Sequence, residues 1–364
     1  MIQDLFAQGA QRATALMVRG FIAKGYDVDL IVSKVHVDIA ANGDRRCFPV
    51  PATTNWVYLP SSKARCNIFE LRRYLVRTDA VAIVSMCSTY TIALAIASLG
   101  IRKRPRLYSV EHGITFALRE DWSKKPKPCF LSQEWFKWLF IKRQFAGFMA
   151  VSRCIAEEYS RMYGISNVRV VYNPVDLSKR ECASDVSQSN FIISAGSFTD
   201  DKNHLLILRA IRSLHSKGEM SGKVIIYGEG PLRPKYEGYI KANGIDPYVE
   251  LPGFNNNLLE AMSKSAGYVC SSRIESFAIA PVEAMSCGVP VVCCDCPCGP
   301  REILGGGKYG RLVPSGDVEK MADAIKDLFA HRVPVASLDG YKRFCVERVT
   351  ERYIEAMGLS SVMP

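Results

Sequence analysis

The sequence predicts an α/β protein with two doubly wound domains. Short apolar runs alternate with longer amphipathic runs along most of the chain, which is the pattern of parallel sheets covered by helices. The length of 364 residues suits about two such domains, and a polar, serine-rich stretch at 179–190 interrupts the alternation near the middle. We therefore expect domains at 1–175 and 176–340, followed by a helical segment at 341–364.

The first domain is predicted to alternate helices and strands from near its start. Apolar residues have helical spacing within Ala13–Lys24, which follows Gly9. Residues 1–7 are too short and too polar for a good first strand, and Ser152 is a candidate helix N-cap. Further helices are predicted at Lys63–Arg77 and Thr89–Leu99, and strands at Tyr26–Val32, Val57–Leu59, Ala80–Ser85, Leu107–Val110, Phe148–Ser152 and Val168–Tyr172.

The second domain repeats this alternation with clearer boundaries, because glycine and polar turns separate its apolar runs. Pro281 suits the first position of a helix and Gly288 suits its end. Further helices are predicted at Leu205–Leu214, Asn256–Met262, Val318–Ala330 and Tyr341–Met357. The predicted strands are Phe191–Ala195, Lys223–Tyr227, Val249–Gly253, Gly267–Ser271, Val289–Cys294 and Tyr309–Pro314.

The composition argues against several classes of protein. No apolar run is long enough to span a bilayer, and we expect no signal peptide at the start. The 13 cysteines are scattered and odd in number, so we expect reduced cytosolic thiols and no disulfide framework. The spacing of Cys293, Cys294, Cys296 and Cys298 matches no zinc site, so no metal is expected.

The charge is unevenly distributed between the two halves. Residues 1–175 hold 25 Lys and Arg against 13 Asp and Glu, whereas 176–364 hold 22 against 23. This excess predicts an anionic partner for the first half, a membrane surface or an acidic acceptor, and no motif indicates nucleic acid. Within Asp121–Phe148, basic residues alternate with aromatic ones, which is typical of an interfacial membrane helix or of a core-facing helix with a solvated basic side.

A candidate binding motif lies in Ser271–Pro290, between a predicted strand and a predicted helix. Glu275 should lie in the loop and Glu283 in the first turn of the helix. Between these carboxylates, amides at a helix N-terminus form a place to hold an anion. A ligand with hydroxyls on both sides of a phosphate would suit this arrangement, although two glutamates at such a spacing are a weak signal by themselves. The amides in question are those of Ser276, Phe277, Ala278 and Ile279.

Two further segments supply candidate site residues. Gly196 follows a buried strand and precedes Lys202 and Asn203 at the start of a helix, an arrangement suited to an anion. Gly228 follows the next strand. In the first domain, a strand delivers His112 at its carboxyl end, where ligands bind in open α/β sheets, although a lone histidine is more often structural.

Taken together, these motifs resemble those of the retaining GT-B glycosyltransferases of family 4. The likeness covers nearly the whole chain, including Asn173–Asp176 as the hinge between the domains and Ser271–Pro290 as the two-glutamate motif. It implies a GT-B fold, two Rossmann-like domains facing across a cleft, with the last helix crossing back to the first domain. It also implies transfer of a hexose or N-acetylhexosamine from a nucleotide diphosphate sugar, such as a UDP-sugar, to a glycan or lipid-linked acceptor in cell-surface polysaccharide or lipopolysaccharide synthesis.

The resemblance assigns roles to individual residues. Lys202 would bind the diphosphate, Glu283 the ribose hydroxyls, Glu275 the hydroxyls of the donor sugar, and His112 the sugar from the facing domain. The family's arginine after the glycine is Ser197 here, so one phosphate contact is either lost or provided elsewhere, with Arg301 as the candidate. The other donor-binding residues implied are Gly9, Gly196, Asn203, Gly228, Ser276, Phe277, Ala278 and Ile279.

The resemblance leaves other functions open. A nucleotide-sugar epimerase of the same fold would convert its substrate without an acceptor. A catalytically inactive glycosyltransferase-like scaffold, which Ser197 and the weak first strand would suit, would bind no nucleotide sugar. For the transferase we expect no cofactor or metal, and a cytoplasmic location that is peripheral to the inner face of the membrane.

Overall fold

The computed structural model of the protein describes residues 9–33, 49–113, 141–177 and 189–359. The chain divides into two compact units, of which unit 1 comprises Met1–Val175 and Val346–Pro364 and unit 2 comprises Asp176–Cys345. Each unit contains a parallel sheet with helices, which confirms the predicted fold class. The weak first strand and most of the basic aromatic stretch lie outside the described residues.

Unit 1 alternates strands and helices as the sequence predicts. Strands β1 and β2 pair in parallel, and β3, β4, β5 and β6 form a parallel four-stranded sheet in sequence order. Ser152 caps the helix α4, because its Oγ accepts a hydrogen bond from the Ile155 amide. The elements are α1 (Gly9–Ala23), β1 (Asp29–Ser33), β2 (Asn55–Leu59), α2 (Ile68–Arg77), β3 (Ala82–Ser85), α3 (Ser88–Ala97), β4 (Arg106–Glu111), β5 (Gly147–Ala150), α4 (Arg153–Tyr163) and β6 (Val168–Val170).

Unit 2 holds one six-stranded parallel sheet, and its strands lie in the order β12-β11-β10-β7-β8-β9. The strands are β7 (Phe191–Ala195), β8 (Lys223–Tyr227), β9 (Val249–Gly253), β10 (Tyr268–Cys270), β11 (Val291–Asp295) and β12 (Arg311–Pro314). The helices are α5 (His204–Ser216), α6 (Arg233–Ala242), α7 (Leu258–Ser263), α8 (Ile279–Ser286), α9 (Pro300–Ile303), α10 (Val318–Phe329) and α11 (Leu338–Lys342).

The core of unit 2 lies between its sheet and the helices α5 and α10. Ile207 and Ile211 of α5 and Ile325 of α10 are fully buried beside Val224 of β8. Burial of each side chain of this size stabilises the folded protein by roughly 1.5–3 kcal/mol. This packing fixes the positions at which β7 and β10 end.

The last helical segment differs from the prediction. Instead of one helix over Tyr341–Met357, the chain forms α11 in unit 2 and then α12 (Val346–Met357) in unit 1. Helix α12 is attached to unit 1 through its carboxyl end, where Met357 O accepts a hydrogen bond of 2.7 Å from the Tyr108 hydroxyl. Helix α1 packs against α12 as well, and Lys24 forms a 2.6 Å ion pair with Glu351.

The cysteines follow the expectation only in part. Cys293 and Cys294 are free thiols buried in β11, where cysteine behaves as a small apolar residue. Cys154 and Cys298 each take part in a disulfide bond, which corrects the expectation of reduced thiols throughout. Within the described ranges, no helix combines the length and the apolar character needed to cross a bilayer.

The contact between α1 and α12 should depend on the absence of a side chain at Gly20. A Cβ there would lie 2.0 Å from Thr350 Oγ1, which is held by a 2.7 Å hydrogen bond to the Val346 carbonyl. We predict that Gly20→Ala lowers the free energy of unfolding by about 1–3 kcal/mol, measured by chemical denaturation.

The matched control is Gly238→Ala in the exposed part of α6, where nothing lies within 4 Å of the added Cβ. That change should stabilise the protein by roughly 0.5–1 kcal/mol, because alanine favours a helix over glycine. Equal effects at the two positions would contradict the packing described for α12.

Candidate functional site

The strand order of unit 2 reverses between β7 and β10, and this reversal positions the candidate site. Strands β7 and β10 are neighbours in the sheet, yet their connections run in opposite directions. In open α/β sheets, ligands bind in the crevice outside the carboxyl ends of the strands at such a switch point. The loop after β7 carries Lys202, and the loop after β10 carries Glu275.

Lys202 and Glu275 meet across this switch point. The Lys202 ammonium donates to Glu275 Oε1, which also accepts a 2.8 Å hydrogen bond from Ser272 Oγ. The side chains are 31% and 11% exposed, so the pair is partly shielded from water. Burial lowers the pKa of Lys202, but the adjacent Glu275 carboxylate outweighs this effect and raises that pKa. Lys202 therefore carries its charge at neutral pH.

Backbone contacts join the same two loops. The Arg273 amide donates to the Asp201 carbonyl at 2.8 Å, and Ser271 Oγ donates to the Lys202 carbonyl at 2.9 Å. Asn203, which is buried, adopts a left-handed conformation with φ 48° immediately before α5. These hydrogen bonds hold the loop after β7 and the loop after β10 together.

Glycines allow the loop after β8 to approach the loop after β7. A Cβ on Gly228, at φ 147°, would lie 2.0 Å from the Gly196 carbonyl oxygen. A Cβ on Gly230 would lie 2.7 Å from the Phe198 carbonyl oxygen. Because no other residue fits at this spacing, Gly228 has a packing role in addition to its predicted place in the donor site.

His204 is a residue whose role the sequence did not indicate. It lies buried at the start of α5, with Nε2 3.3 Å from the Gly196 carbonyl and Nδ1 3.4 Å from Ser194 Oγ. A carbonyl can only accept, so Nε2 carries the proton and Nδ1 accepts from the serine hydroxyl. Burial lowers the pKa of His204 to about 4, which keeps the ring neutral. His204 thus supports the loop that carries Lys202.

Helix α8 begins two residues earlier than the sequence suggested. It starts at Ile279, so Pro281 is the third helical residue and Glu283 lies in the second turn, which corrects both expectations. Ala278 precedes the helix with φ 68°, a conformation that costs energy for any residue except glycine. The first amides of α8 have no acceptor within their own helix, so they remain suited to an anion.

The other predicted residues occupy varied surroundings. Glu283 and Phe277 are buried, and Ser276 lies between Glu275 and Phe277 in the loop before α8. Arg301, the candidate for a phosphate contact, forms a bidentate ion pair with Asp295 on the surface. Gly9 is exposed and begins α1, so it lies in a helix and not in a loop.

His112 lies in unit 1, immediately after β4. Both of its ring nitrogens are buried and have no hydrogen-bond partner among the described residues, and burial lowers the pKa of His112 to about 4. The preceding Glu111 is buried and accepts hydrogen bonds of 2.7 Å from Ser109 Oγ and 2.8 Å from the Tyr159 hydroxyl. Burial raises the pKa of Glu111 despite these donors. His112 is therefore a neutral ring on a firmly held strand end.

In the part of the chain that the structure describes, no group of three or more His, Cys, Asp or Glu side chains could hold a metal ion. The positive charges near the switch point come instead from Lys202 and from the N-terminus of α8.

The two units, each with a parallel sheet, agree with the fold of the GT-B glycosyltransferases. Residues 7–179 match the family model described as Glycosyltransferase Family 4, and residues 179–339 match the model described as Glycosyl transferases group 1. The two matches together extend over most of the chain. The chain therefore belongs to the group 1 glycosyltransferases.

Individual relatives agree with this assignment. The chain is 32% identical over 162 residues to the N-acetylgalactosamine-N,N'-diacetylbacillosaminyl-diphospho-undecaprenol 4-alpha-N-acetylgalactosaminyltransferase of Campylobacter jejuni. That match covers 44% of this chain and 43% of the relative, so the chain spans less than half of the relative's length.

Solved structures show the same fold over almost the whole chain. The lipopolysaccharide outer core galactosyltransferase WaaB, in its apo form, has a TM-score of 0.71 at 16% identity and covers 98% of this chain and 97% of its own. Anabaena Alr3699/HepE in complex with UDP and glucose has a TM-score of 0.71 at 18% identity, with 98% of both chains covered.

The neutral state of His204 predicts a specific pH dependence. Its pKa is about 4 when folded and 6.5 when unfolded, so below pH 6.5 the unfolded chain takes up a proton that the folded chain does not. Stability should therefore fall as the pH drops from 6.5 towards 4, and His204→Gln should remove roughly 3 kcal/mol of that fall.

Calorimetric unfolding of the full chain across this pH range measures the difference. His215→Gln is the matched control, because His215 is exposed on the same helix, and this change should leave the pH dependence as it is. The same pH dependence in His204→Gln and in the wild type would contradict a neutral, buried His204.

Proposed function

We propose that this protein transfers a hexose or N-acetylhexosamine from a nucleotide diphosphate sugar, preferably a UDP-sugar, to a glycan or lipid-linked acceptor, with retention of the anomeric configuration. The observation that carries the proposal is the Lys202–Glu275 pair at the switch point of unit 2. One group provides positive charge for a diphosphate, and the other provides a carboxylate for sugar hydroxyls. Family membership supports the reaction class.

Lys202 and helix α8 would act on the leaving group. As the bond between the anomeric carbon and the phosphate oxygen breaks, negative charge develops on the diphosphate and the sugar becomes oxocarbenium-like. A fixed ammonium and the amides of Ala278 and Ile279 would stabilise that charge in a partly buried site. On this proposal the positive charge comes from the protein and no metal is required.

The acceptor hydroxyl would attack the anomeric carbon on the same face of the sugar from which the leaving group departs. The new bond joins the acceptor oxygen to the anomeric carbon, and the hydroxyl proton passes to the leaving diphosphate. Glu275 would orient the sugar hydroxyls, and Glu283 would bind the ribose. His112, a neutral ring whose nitrogens have no hydrogen-bond partner among the described residues, would hydrogen-bond to the sugar.

The charge distribution and the names of the relatives support one kind of acceptor and location. The C. jejuni relative is named for a diphospho-undecaprenol acceptor, and WaaB for the lipopolysaccharide outer core. A similar acceptor for this chain would be a cell-surface glycan precursor at the inner face of a membrane. The 25 Lys and Arg in residues 1–175 would favour an anionic surface there.

The roles of Lys202, Glu283 and His112 can be tested together. We predict that alanine at each position lowers kcat/KM for the donor, and that Lys202→Ala lowers it by about 10²–10³-fold because a fixed charge near the leaving group is lost. The measurement is donor hydrolysis and transfer across UDP-, GDP- and ADP-sugars, with the anomeric configuration of the product read by NMR.

Lys223→Ala is the matched control. Lys223 lies at the amino end of β8, whereas the candidate site lies at the carboxyl ends of the strands, and Lys223 forms a 2.7 Å ion pair with Glu250. Activity should be unchanged in that variant. Rates near the wild type in all three site variants would refute the site. Thermal shift with UDP separates an inactive scaffold, which would bind none, from an active transferase.

A further inference from the structure

Helix α2 of unit 1 has an apolar stripe that points away from the core. Leu71 and Leu75 are buried and hold the helix against the unit. On the opposite face, Phe69 is 84% exposed and Val76 is 64% exposed, and their spacing of seven residues aligns them along one side of the helix. A side chain as large as phenylalanine is costly to leave in water, so this face suits an apolar contact.

The end of helix α3 extends this surface. Arg72 of α2 donates hydrogen bonds to the carbonyls of Ala97, at 3.1 Å, and of Leu99. Ile96 and Leu99, each 40% exposed, therefore adjoin the α2 stripe. We call the four apolar residues, Phe69, Val76, Ile96 and Leu99, the α2 patch.

Exposed basic residues lie on α2 itself and in the segments that flank the α2 patch in sequence. Acidic residues on or beside α2 include Glu70, which pairs with Arg73 at 3.1 Å, Asp79, and Asp29, which accepts a 2.6 Å hydrogen bond from the Tyr74 hydroxyl of α2. Exposed apolar residues among cations are the composition of a surface that inserts into the interface of an anionic bilayer. The exposed basic residues are Lys63, Arg65, Arg72, Arg73, Arg77, Arg102 and Lys103.

We propose that the α2 patch inserts into the headgroup region of an anionic phospholipid bilayer and holds unit 1 on that surface. The inference rests on the proposed lipid-linked acceptor and gives it a location. Helix α2 starts close to the carboxyl end of β2, because Asn67 at its start is hydrogen-bonded to Ser61, two residues beyond that strand. Ligands bind at the carboxyl ends of strands, so the patch extends from that edge along the outside of the unit.

A bilayer explains these features better than a protein partner does. Phe69 and Val76 lie along one exposed face of α2, and the exposed cations of the same helix are long side chains that can reach headgroup phosphates. The attraction between such cations and an anionic surface requires no fixed geometry. Salt should weaken this electrostatic attraction, whereas it should not weaken the binding that comes from insertion of the apolar side chains.

Flotation of the full chain with vesicles tests the proposal. The wild type should bind vesicles of equal parts phosphatidylglycerol and phosphatidylcholine, and bind phosphatidylcholine alone much less. Raising the salt from about 0.1 M to about 1 M should reduce the binding, because the Debye length falls from roughly 10 Å to 3 Å. The double variant Phe69→Ser/Val76→Ser should lower the partition coefficient by about tenfold to a hundredfold.

The control is Val335→Ser/Leu338→Ser, which removes two exposed apolar side chains, 51% and 47% exposed, from unit 2. It should bind vesicles like the wild type. Donor hydrolysis in the absence of lipid should be unchanged in Phe69→Ser/Val76→Ser, because neither residue is in the donor site. This readout separates failure of the proposed function from failure of the α2 patch.

Three results would overturn the proposal. One is wild-type binding that does not depend on anionic lipid. Another is equal vesicle binding by the wild type and Phe69→Ser/Val76→Ser. The third is self-association of the wild type in sedimentation velocity, abolished in that variant and without vesicle binding, which would assign the patch to a second copy of the chain.

Discussion

The ion pair between Lys202 and Glu275 is the interaction on which the candidate site depends. It joins two loops that are 73 residues apart in sequence, and only the reversed strand order of unit 2 brings them together. Partial burial strengthens the attraction between the charges, and Ser272 provides a further hydrogen bond to the carboxylate. An anion bound here would meet a cation that is already held in place.

The remainder of unit 2 maintains this geometry. His204 is hydrogen-bonded to the Gly196 carbonyl, and Gly228 lets the loop after β8 pack against the same carbonyl. Both residues act through the backbone, so their effect on a ligand would be indirect. The same unit holds a strained Ala278 immediately before α8, where the helix amides begin. Such strain is tolerated because the surrounding packing fixes the loop.

Much of the fold could be predicted from the sequence, and the exceptions have physical reasons. Strands β7, β8 and β9 were predicted with their observed bounds, because glycine and polar turns mark their ends in the sequence. The final helix was predicted as one element, since its amphipathic pattern continues across the point where the chain changes units. The motif residues could be named, but the Lys202–Glu275 contact, the support from His204 and the ion pair of Arg301 depend on tertiary structure that local patterns do not encode.

The measurement that tests the central claim most directly is the affinity of the protein for a nucleoside diphosphate compared with that for its nucleoside. Calorimetric titration would use whichever of UDP, GDP and ADP binds most tightly. Lys202→Met should reduce diphosphate affinity by about tenfold to a hundredfold, the contribution of a hydrogen bond to a charged group, and leave nucleoside affinity unchanged. An unchanged ratio of the two affinities in Lys202→Met would contradict a diphosphate site at the switch point.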